Sequence, residues 1–569
     1  MEKKDLSVLR HSAAHLLAHA ISELFPRTIL TIGPATKEGF FYDFLPEKNF
    51  KDEDLVRIEE RMHELSRKNI VLTHKQISKD VACEMYKDNP FKLELIKDIP
   101  GDTVGLAEQG DFYDLCRGGH VESTGDIKYF KLLHTSGSYW RADKDKAALQ
   151  RITGTAFFTQ EDLQAFIQQR EDAIQFDHRR LGKELDLFSF HEEGVGFPFF
   201  HPHGKIVLNV LVDHLRKHLK KARYQEISTP TMLSDELWRQ SGHYQHYKDN
   251  MYFCIIDERS YALKPMNCPG ATLVYKERPR SYRELPLKYA ELGHVHRHEL
   301  SGVLSGLFRV RAFTQDDAHI FCAKEQIEQE VTNFITLRDD VFKAFGFTNT
   351  QIAISTKPEK AMGSDDLWNI ATSALEDALK KAGKEYTICE GEGAFYGPKI
   401  EFRMEDSLKR VWTCSTIQVD FFLPENFDLN YVSSEGTKVR PVMLHRAIYG
   451  SLERFFAIIL EHFKGRLPLW LAPVQIKVLT ITDEQNEYAQ KVVNILEDAD
   501  LRVGRDTSSD PISGQIKRAQ LERVPWMIVL GKKEVENNTV TVRYLDGKQE
   551  FGLTIDDVVE RARVEKEFK

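Results

Sequence analysis

Hydrophobic residues change their spacing along this chain, and each change marks a new element. Near the start Leu16, Leu17, Ile21 and Leu24 follow helical spacing, with His11, His15 and His19 each four residues apart on one face. Residues 52–68 form a charged, helix-like run, and a strand-like run starts at Ile70. Residues 159–183 are charged and helix-periodic, with Glu171, Asp172, Arg179 and Arg180 on polar faces, which predicts a solvated linking helix. Residues 203–222 read as a helix leading into a short strand at 224–230, where Pro230 removes a backbone donor. Alternation at 295–299 and 308–313 predicts two strands joined by a long loop through the Gly/Ser-rich turn 301–306. The last hundred or so residues alternate strand-like and helix-like stretches at 474–481, 484–498, 513–523, 526–530 and 539–544, the order of a small α/β domain. No internal repeat or low-complexity tract interrupts the pattern. The expected class is multidomain α+β and α/β, with boundaries at 1–157, 158–185 (the linker helix), 186–468 and 469–569.

Bulk properties narrow this reading. A chain of 569 residues suits several domains, each with its own core. With 41% hydrophobic and 29% charged residues, disorder is excluded. No apolar run reaches membrane-spanning length, and the opening MEKKDLSVLRH lacks the apolar stretch of a secretory signal. Seven scattered cysteines without framework spacing suit reduced thiols in a cytoplasm. A net charge of −9 gives no overall basic footprint for nucleic acid, although local basic patches remain compatible with it.

Candidate chemistry gathers at three places. In the stretch LGHVHRHELSGVLSGLFRVRAFTQDDAHIF (292–321), Arg297, Arg309 and Arg311 can point at one anion. An exposed hairpin with ordinary surface pairs is the alternative. His11 and His15 on a helix, with Cys116 and His120 in Asp114-Leu-Cys-Arg-Gly-Gly-His120, make a convergent site, or else core and surface histidines with a buried thiol. Cys268, His319 and His445 are too far apart in sequence to carry a metal signature, and Cys268 alone reads as a buried thiol.

Four runs occur in a characteristic order: Lys264-Pro-Met-Asn-Cys-Pro-Gly270, the 292–321 stretch, Gly391-Glu-Gly-Ala-Phe-Tyr-Gly-Pro-Lys399 and His445-Arg-Ala-Ile-Tyr-Gly-Ser-Leu-Glu-Arg-Phe455. On these, nearly the whole chain resembles the threonyl-tRNA synthetase family of class II aminoacyl-tRNA synthetases. The resemblance implies a class II antiparallel sheet with flanking helices, an N-terminal α+β editing domain and a C-terminal α/β anticodon-binding domain. It begins at His11, without the small domain that often precedes the editing domain in the family. Residues 224–230 resemble the motif that builds the family's homodimer interface.

The implied activity is ATP-dependent activation of L-threonine, its transfer to tRNA(Thr), and hydrolysis of mischarged seryl-tRNA. Arg297, Glu299, Arg309, Phe313 and Arg454 match ATP-binding positions, with Mg²⁺ alongside. Cys268, His319 and His445 match zinc ligands, and Gln315, Asp317, Tyr396 and Gln418 match threonine-binding positions. Arg297 and Arg454 are the implied catalytic side chains, with His243 a candidate base for the transfer step. His11, His15, Cys116 and His120 match the editing motifs, and Glu534 and Arg543 match anticodon-reading positions at the ends of late strands. Three departures stand out: Gly119 and Leu300 replace frequent prolines, and Ala312 replaces a frequent glycine. A free-standing zinc hydrolase would account for the histidines but not for Arg297, Glu299 and Arg454. A non-catalytic RNA-binding paralogue is expected to lose some of the phosphate arginines or zinc ligands, and a synthetase for another amino acid is disfavoured by the Cys/His/His set.

Overall fold

A computed structural model describes residues 5–347, 350–359, 361–508 and 510–566. The chain divides into two compact units, Met1–Glu171 and Asp172–Lys569. The smaller one is built on the helix Leu6–Leu24, whose first turn is capped by Asp5 accepting from the Ser7 amide at 2.8 Å. Leu9, Ala13, Leu16, Leu17 and Ile21 of this helix are buried in a core shared with Phe40, Tyr42, Phe44, Ile58, Met62 and Ile152. That core lies on a four-stranded antiparallel sheet in the order Ile29–Leu30, Phe40–Leu45, Ala148–Phe157 and Tyr129–Tyr139. A three-stranded sheet of Leu72–Ser78, Thr103–Gln109 and Phe112–Leu115 delivers Cys116, whose amide extends the ladder to the Gly105 carbonyl at 2.9 Å.

The expected linker helix is two helices, Gln160–Gln175 and His178–Glu184. The second is not a solvated spacer. His178 and Leu181 are buried, and the His178 ring bridges Glu461 at 2.7 Å and the Leu307 amide at 3.0 Å. Charged residues supply the helical period, while these few inward positions decide where the helix lies.

In the larger unit, an eight-stranded sheet runs in the order Gln225–Glu226, Leu287–His296, Ala312–Cys322, Val442–Ser451, Val411–Asp420, Lys399–Glu405, Thr350–Ser355 and Thr387–Cys389. All neighbours pair antiparallel except the two outermost strands, which are parallel to their partners. The central strands are buried on one face against the helices Pro202–Lys221, Ile327–Phe342 and Leu452–His462. Two boundaries differ from expectation. The hairpin strands stop at His296 and resume at Ala312, because the Arg311 amide leaves the ladder for the Gly196 carbonyl at 2.7 Å. Arg297, Glu299, Arg309 and Arg311 therefore lie on the connecting loop, which holds two 3₁₀ turns. Of residues 224–230 only Gln225–Glu226 are strand.

The C-terminal part carries a five-stranded mixed sheet in the order Val503–Arg505, Ile476–Thr480, Trp526–Leu530, Val540–Tyr544 and Gln549–Leu553, with helices Asn486–Asp498, Ile512–Leu521, Lys532–Asn537 and Ile555–Lys566. Its core gathers Ile476, Val478, Val492, Leu496, Ile528 and Val542.

Candidate functional site

Cysteine and histidine converge twice. In the smaller unit, ligand-type atoms of His11, His15, Cys116 and His120 all lie within 4.8 Å of one another. The helix supplies His11 and His15 one turn apart, and the strand leading to Cys116 supplies the rest. Cys116 Sγ is 3.0 Å from His11 Nε2 and 3.1 Å from His120 Nε2, and the Gly118 amide donates to it at 3.3 Å. Burial opposes ionisation of this thiol, but the hydrogen bonds from His11 and His120 and the nearby His15 hold it down at about 3. His120 follows Gly118 and Gly119, at φ 97° and 85°. The proline ring cannot reach such an angle, so glycine at 119 makes a turn of its own kind here.

Behind the cluster lies a buried polar network that the sequence pattern did not reveal. Tyr42 donates to Asp114 Oδ2 at 2.7 Å, Lys92 pairs with Asp114 Oδ1, and His15 Nδ1 stands 3.2 Å from Asp114 Oδ2. Burial works against the Asp114 charge, but Lys92 and His15 hold its carboxyl well below the ordinary range. The same burial works against protonated His15, but Asp114 and Cys116 raise it to about 9. The cluster opens on a cavity of about 1060 Å³ lined by His11, His15, Lys92, Asp114 and Cys116. Lys92 was hidden in an ordinary amphipathic helix, Pro90–Asp98, and only its near-complete burial distinguishes it.

The second convergence is in the large sheet. Cys268, the first residue of helix Cys268–Lys276, meets His319 and His445, with ligand atoms within 4.8 Å of one another and all three residues buried. Strand register explains the meeting. Tyr289, His319, His445 and Gln418 are directly opposed on four adjacent strands, so their side chains share one face. Asp317 and Gln315 follow on that face, with a bulge in the pairing to the Val442 strand between them. Tyr396 donates to Gln418 Oε1 at 2.7 Å.

Both ring nitrogens of His319 are buried without a hydrogen-bond partner, a costly arrangement of which a metal ion would relieve one nitrogen. His445 Nε2 lies 2.9 Å from Asp420, itself wholly buried and accepting from the Phe422 and Leu423 amides. A carboxylate holding the far nitrogen of an imidazole is the support that metal-ligating histidines receive. The donor set and this support fit zinc. Asp420 was not singled out from sequence because only the fold puts it opposite Met443, two residues from His445 on the neighbouring strand.

His243 adjoins this trio. Its ring is buried, with Nδ1 2.9 Å from Ser241 Oγ and Nε2 3.6 Å from Cys268 Sγ, and burial keeps it at about 3.

Beside the trio the arginines gather. The Arg297 guanidinium stands 5.1 Å from the Phe313 ring centre, and its Nε donates to the Pro265 carbonyl at 3.1 Å. Arg309 pairs with Glu299 at 3.0 Å, and Arg454 donates to the Phe308 carbonyl at 2.9 Å. Burial pulls Arg454 below its ordinary value, and the positive charges of Arg297 and Arg309 add to that. Three cations set against one another make a site for a polyanion. Arg311 does not join them. Its guanidinium is spent on the Val195 and Glu299 carbonyls and the Ser301 hydroxyl at 2.9–3.3 Å.

In the C-terminal part Glu534 lies in a helix rather than at a strand end. Its carboxylate caps that helix, accepting from the Gly531 amide at 3.0 Å and the Thr541 hydroxyl at 2.8 Å. Arg543 is on the Val540–Tyr544 strand with a buried Nε that has no partner.

Known proteins share these features. Residues 104–153 match the second additional domain of threonyl and alanyl tRNA synthetases. Residues 252–463 match the tRNA synthetase class II core domain (G, H, P, S and T), and 471–565 match the anticodon binding domain. The chain is 51% identical over 555 residues to the threonine–tRNA ligase of Acetivibrio thermocellus, covering 97% of this chain and 87% of that protein. It is 51% identical over 545 residues to the threonine–tRNA ligase of Clostridium tetani, covering 95% and 85%. A crystal structure titled as the RNA binding domain of threonyl-tRNA synthetase from Cryptosporidium parvum Iowa II aligns with TM-score 0.67 and 42% identity, over 69% of this chain and 99% of that one.

Proposed function

This chain belongs to the threonine–tRNA ligase family of class II aminoacyl-tRNA synthetases, and from that premise we propose a division of labour between its two units. The larger unit activates L-threonine with ATP and passes it to tRNA(Thr). The smaller unit hydrolyses seryl-tRNA made in error.

Activation asks mainly for positioning and charge neutralisation. Arg297 holds the α-phosphate open to attack by the threonine carboxylate. Arg309 and Arg454 take the terminal phosphates together with Mg²⁺. Glu299, which lies beside Arg309, accepts from the adenine amino group, and Phe313 stacks on the ring. Cys268, His319 and His445 would hold zinc, which would supply Lewis-acid recognition of the amino acid's amino and hydroxyl groups. Gln315, Asp317, Tyr396 and Gln418 orient the same substrate, and His243 is the candidate acceptor of the ribose proton in transfer.

Hydroxyl recognition rejects valine by on the order of 10⁴–10⁵-fold, but serine lacks only a methyl, worth about 10–200-fold. A hydrolytic second sieve follows from that shortfall. His11, His15, Cys116 and His120 bind the mischarged end in their cavity and position water, with or without a metal of their own. Arg543 and Glu534 read the anticodon. The enzyme works in the cytoplasm as a homodimer joined through the 224–230 region. Its seven free cysteines suit a reducing compartment.

The observation that carries this reading is the meeting, on one sheet face, of Cys268, His319 and His445 with the three arginines beside them. ATP–pyrophosphate exchange across the twenty amino acids tests it. Strong exchange with threonine, weaker exchange with serine and exchange with valine lower than threonine by on the order of 10⁴–10⁵-fold in kcat/KM is expected. Exchange led by any other amino acid overturns the assignment.

A further inference from the structure

Asn267 sits at the N-cap of helix Cys268–Lys276, where an asparagine normally accepts from the helix's first amides. Here it makes no such bond. Its side chain is wholly buried, Nδ2 donates to Asp317 Oδ2 at 3.1 Å, and Oδ1 is buried without a partner. The residue forgoes a cap and leaves an acceptor unsatisfied, and among the described residues its side chain bonds to the Asp317 carboxylate. The direction of the amide follows from that contact, since a carboxylate takes only donors.

Gly293 makes the room. It lies inside the Leu287–His296 strand, opposite Gln315 and on the same face as Asp317 and His319. Its φ is not positive, so the backbone does not require glycine there. A Cβ at this position would stand 2.1–2.4 Å from Asn267 Oδ1, Cγ and Nδ2. Glycine inside a strand marks a close approach, and the group approaching is this amide. Asp317 Oδ2 also faces His319 Nε2 at 3.7 Å. The Asn267 bond therefore ties Oδ2 to the protein, and Oδ1 is not engaged by that amide.

We infer that Asn267 and Gly293 are a positioning pair that fixes the orientation of Asp317, and through it the selectivity of the amino-acid site for a hydroxyl. This rests on reading Asp317 as a threonine-binding residue. Neither Asn267 nor Gly293 touches the substrate. Asn267 acts by donating to one carboxylate oxygen, and Gly293 acts by leaving space for the donor.

The test compares kcat/KM for threonine and valine in pyrophosphate exchange for Asn267→Ala, Gly293→Ala, Asp317→Asn and the double variant Asn267→Ala/Asp317→Asn, with zinc content and melting temperature measured on each. A purely structural lesion lowers both amino acids together. The threonine-to-valine ratio is expected to fall at least about 10-fold in Asn267→Ala and in Gly293→Ala, the range for losing a hydrogen bond to a charged group, with zinc retained. In the double variant the ratio is expected to fall no further than in Asp317→Asn, because both changes act through one carboxylate. An unchanged ratio in both single variants, or additive losses in the double, refutes the pairing while the reading of Asp317 stands. An unchanged ratio in Asp317→Asn overturns that reading and the inference with it. Gly293→Ala leaves the Asn267 residue itself intact, so the inference remains exposed to failure even if Asn267→Ala folds poorly.

Discussion

The two Cys/His clusters use the same residue types and are built in opposite ways. In the smaller unit Cys116 is bonded to two imidazoles and a backbone amide, and the thiol is held at about 3. In the larger unit burial drives the Cys268 thiol well above its ordinary value, with Asp317 and Asp420 adding to the effect. His319 beside it has two unsatisfied nitrogens. In the first cluster the thiol, though not the buried His15 ring, is engaged by internal hydrogen bonds, and the cluster faces a cavity, as suits a site that binds a large ligand end and a water. The second sets a thiol and two imidazoles together in a buried pocket, with a carboxylate behind His445, a donor set that fits a metal ion. On the proposed division, the same two ligand types would serve hydrolysis in one place and amino-acid sensing in the other, with the neighbours deciding which.

Removing Cys268 breaks the comparison most severely. Cys268→Ala should lose zinc and bring threonine-dependent pyrophosphate exchange to background, while clearance of pre-made seryl-tRNA continues. Metal analysis and the two assays on one preparation check this, and full zinc occupancy in the variant rules the trio out.

The smaller cluster leans instead on the buried Lys92–Asp114 pair. Lys92→Met leaves Asp114 buried without its cation, a change costing about 3–5 kcal/mol. Calorimetry should show an earlier transition for the smaller unit, with zinc content and threonine exchange in the larger one unaltered. A shift shared by both units contradicts this.

Much of the second cluster was readable in sequence and less of its support. Cys268, His319 and His445 sit in recognisable runs, but their meeting depends on a sheet register that joins residues over a hundred positions apart. Asn267, Asp420 and Lys92 escaped notice for a common reason: each is a polar residue whose role comes from burial beside one partner, and local periodicity carries no trace of a distant partner. The two ends of the loop, 297–299 and 308–311, were read as strand because their residues alternate, whereas the strands stop at His296 and resume at Ala312 and the Arg311 amide bonds elsewhere. Glu534 was assigned to a strand end when the run 531–534 is a helix start closed by its own carboxylate. The C-terminal helices and strands with strong periodicity, such as Asn486–Asp498 and Trp526–Leu530, fell close to expectation.

A smaller effect sharpens the contrast from outside both clusters. Arg543→Ala should leave pyrophosphate exchange unchanged and weaken kcat/KM for tRNA by about 1–3 kcal/mol, the value of one base-reading arginine. Steady-state aminoacylation against exchange separates the two, and loss of exchange would mark Arg543 as structural.

The division of discrimination between the units is tested most directly by charging tRNA with labelled serine and valine in His11→Ala and His120→Ala, beside the unaltered enzyme. Seryl-tRNA is expected to accumulate in both variants, valyl-tRNA to stay absent and threonine charging to remain intact. Unchanged clearance of seryl-tRNA in both variants, or the appearance of valyl-tRNA, would contradict it.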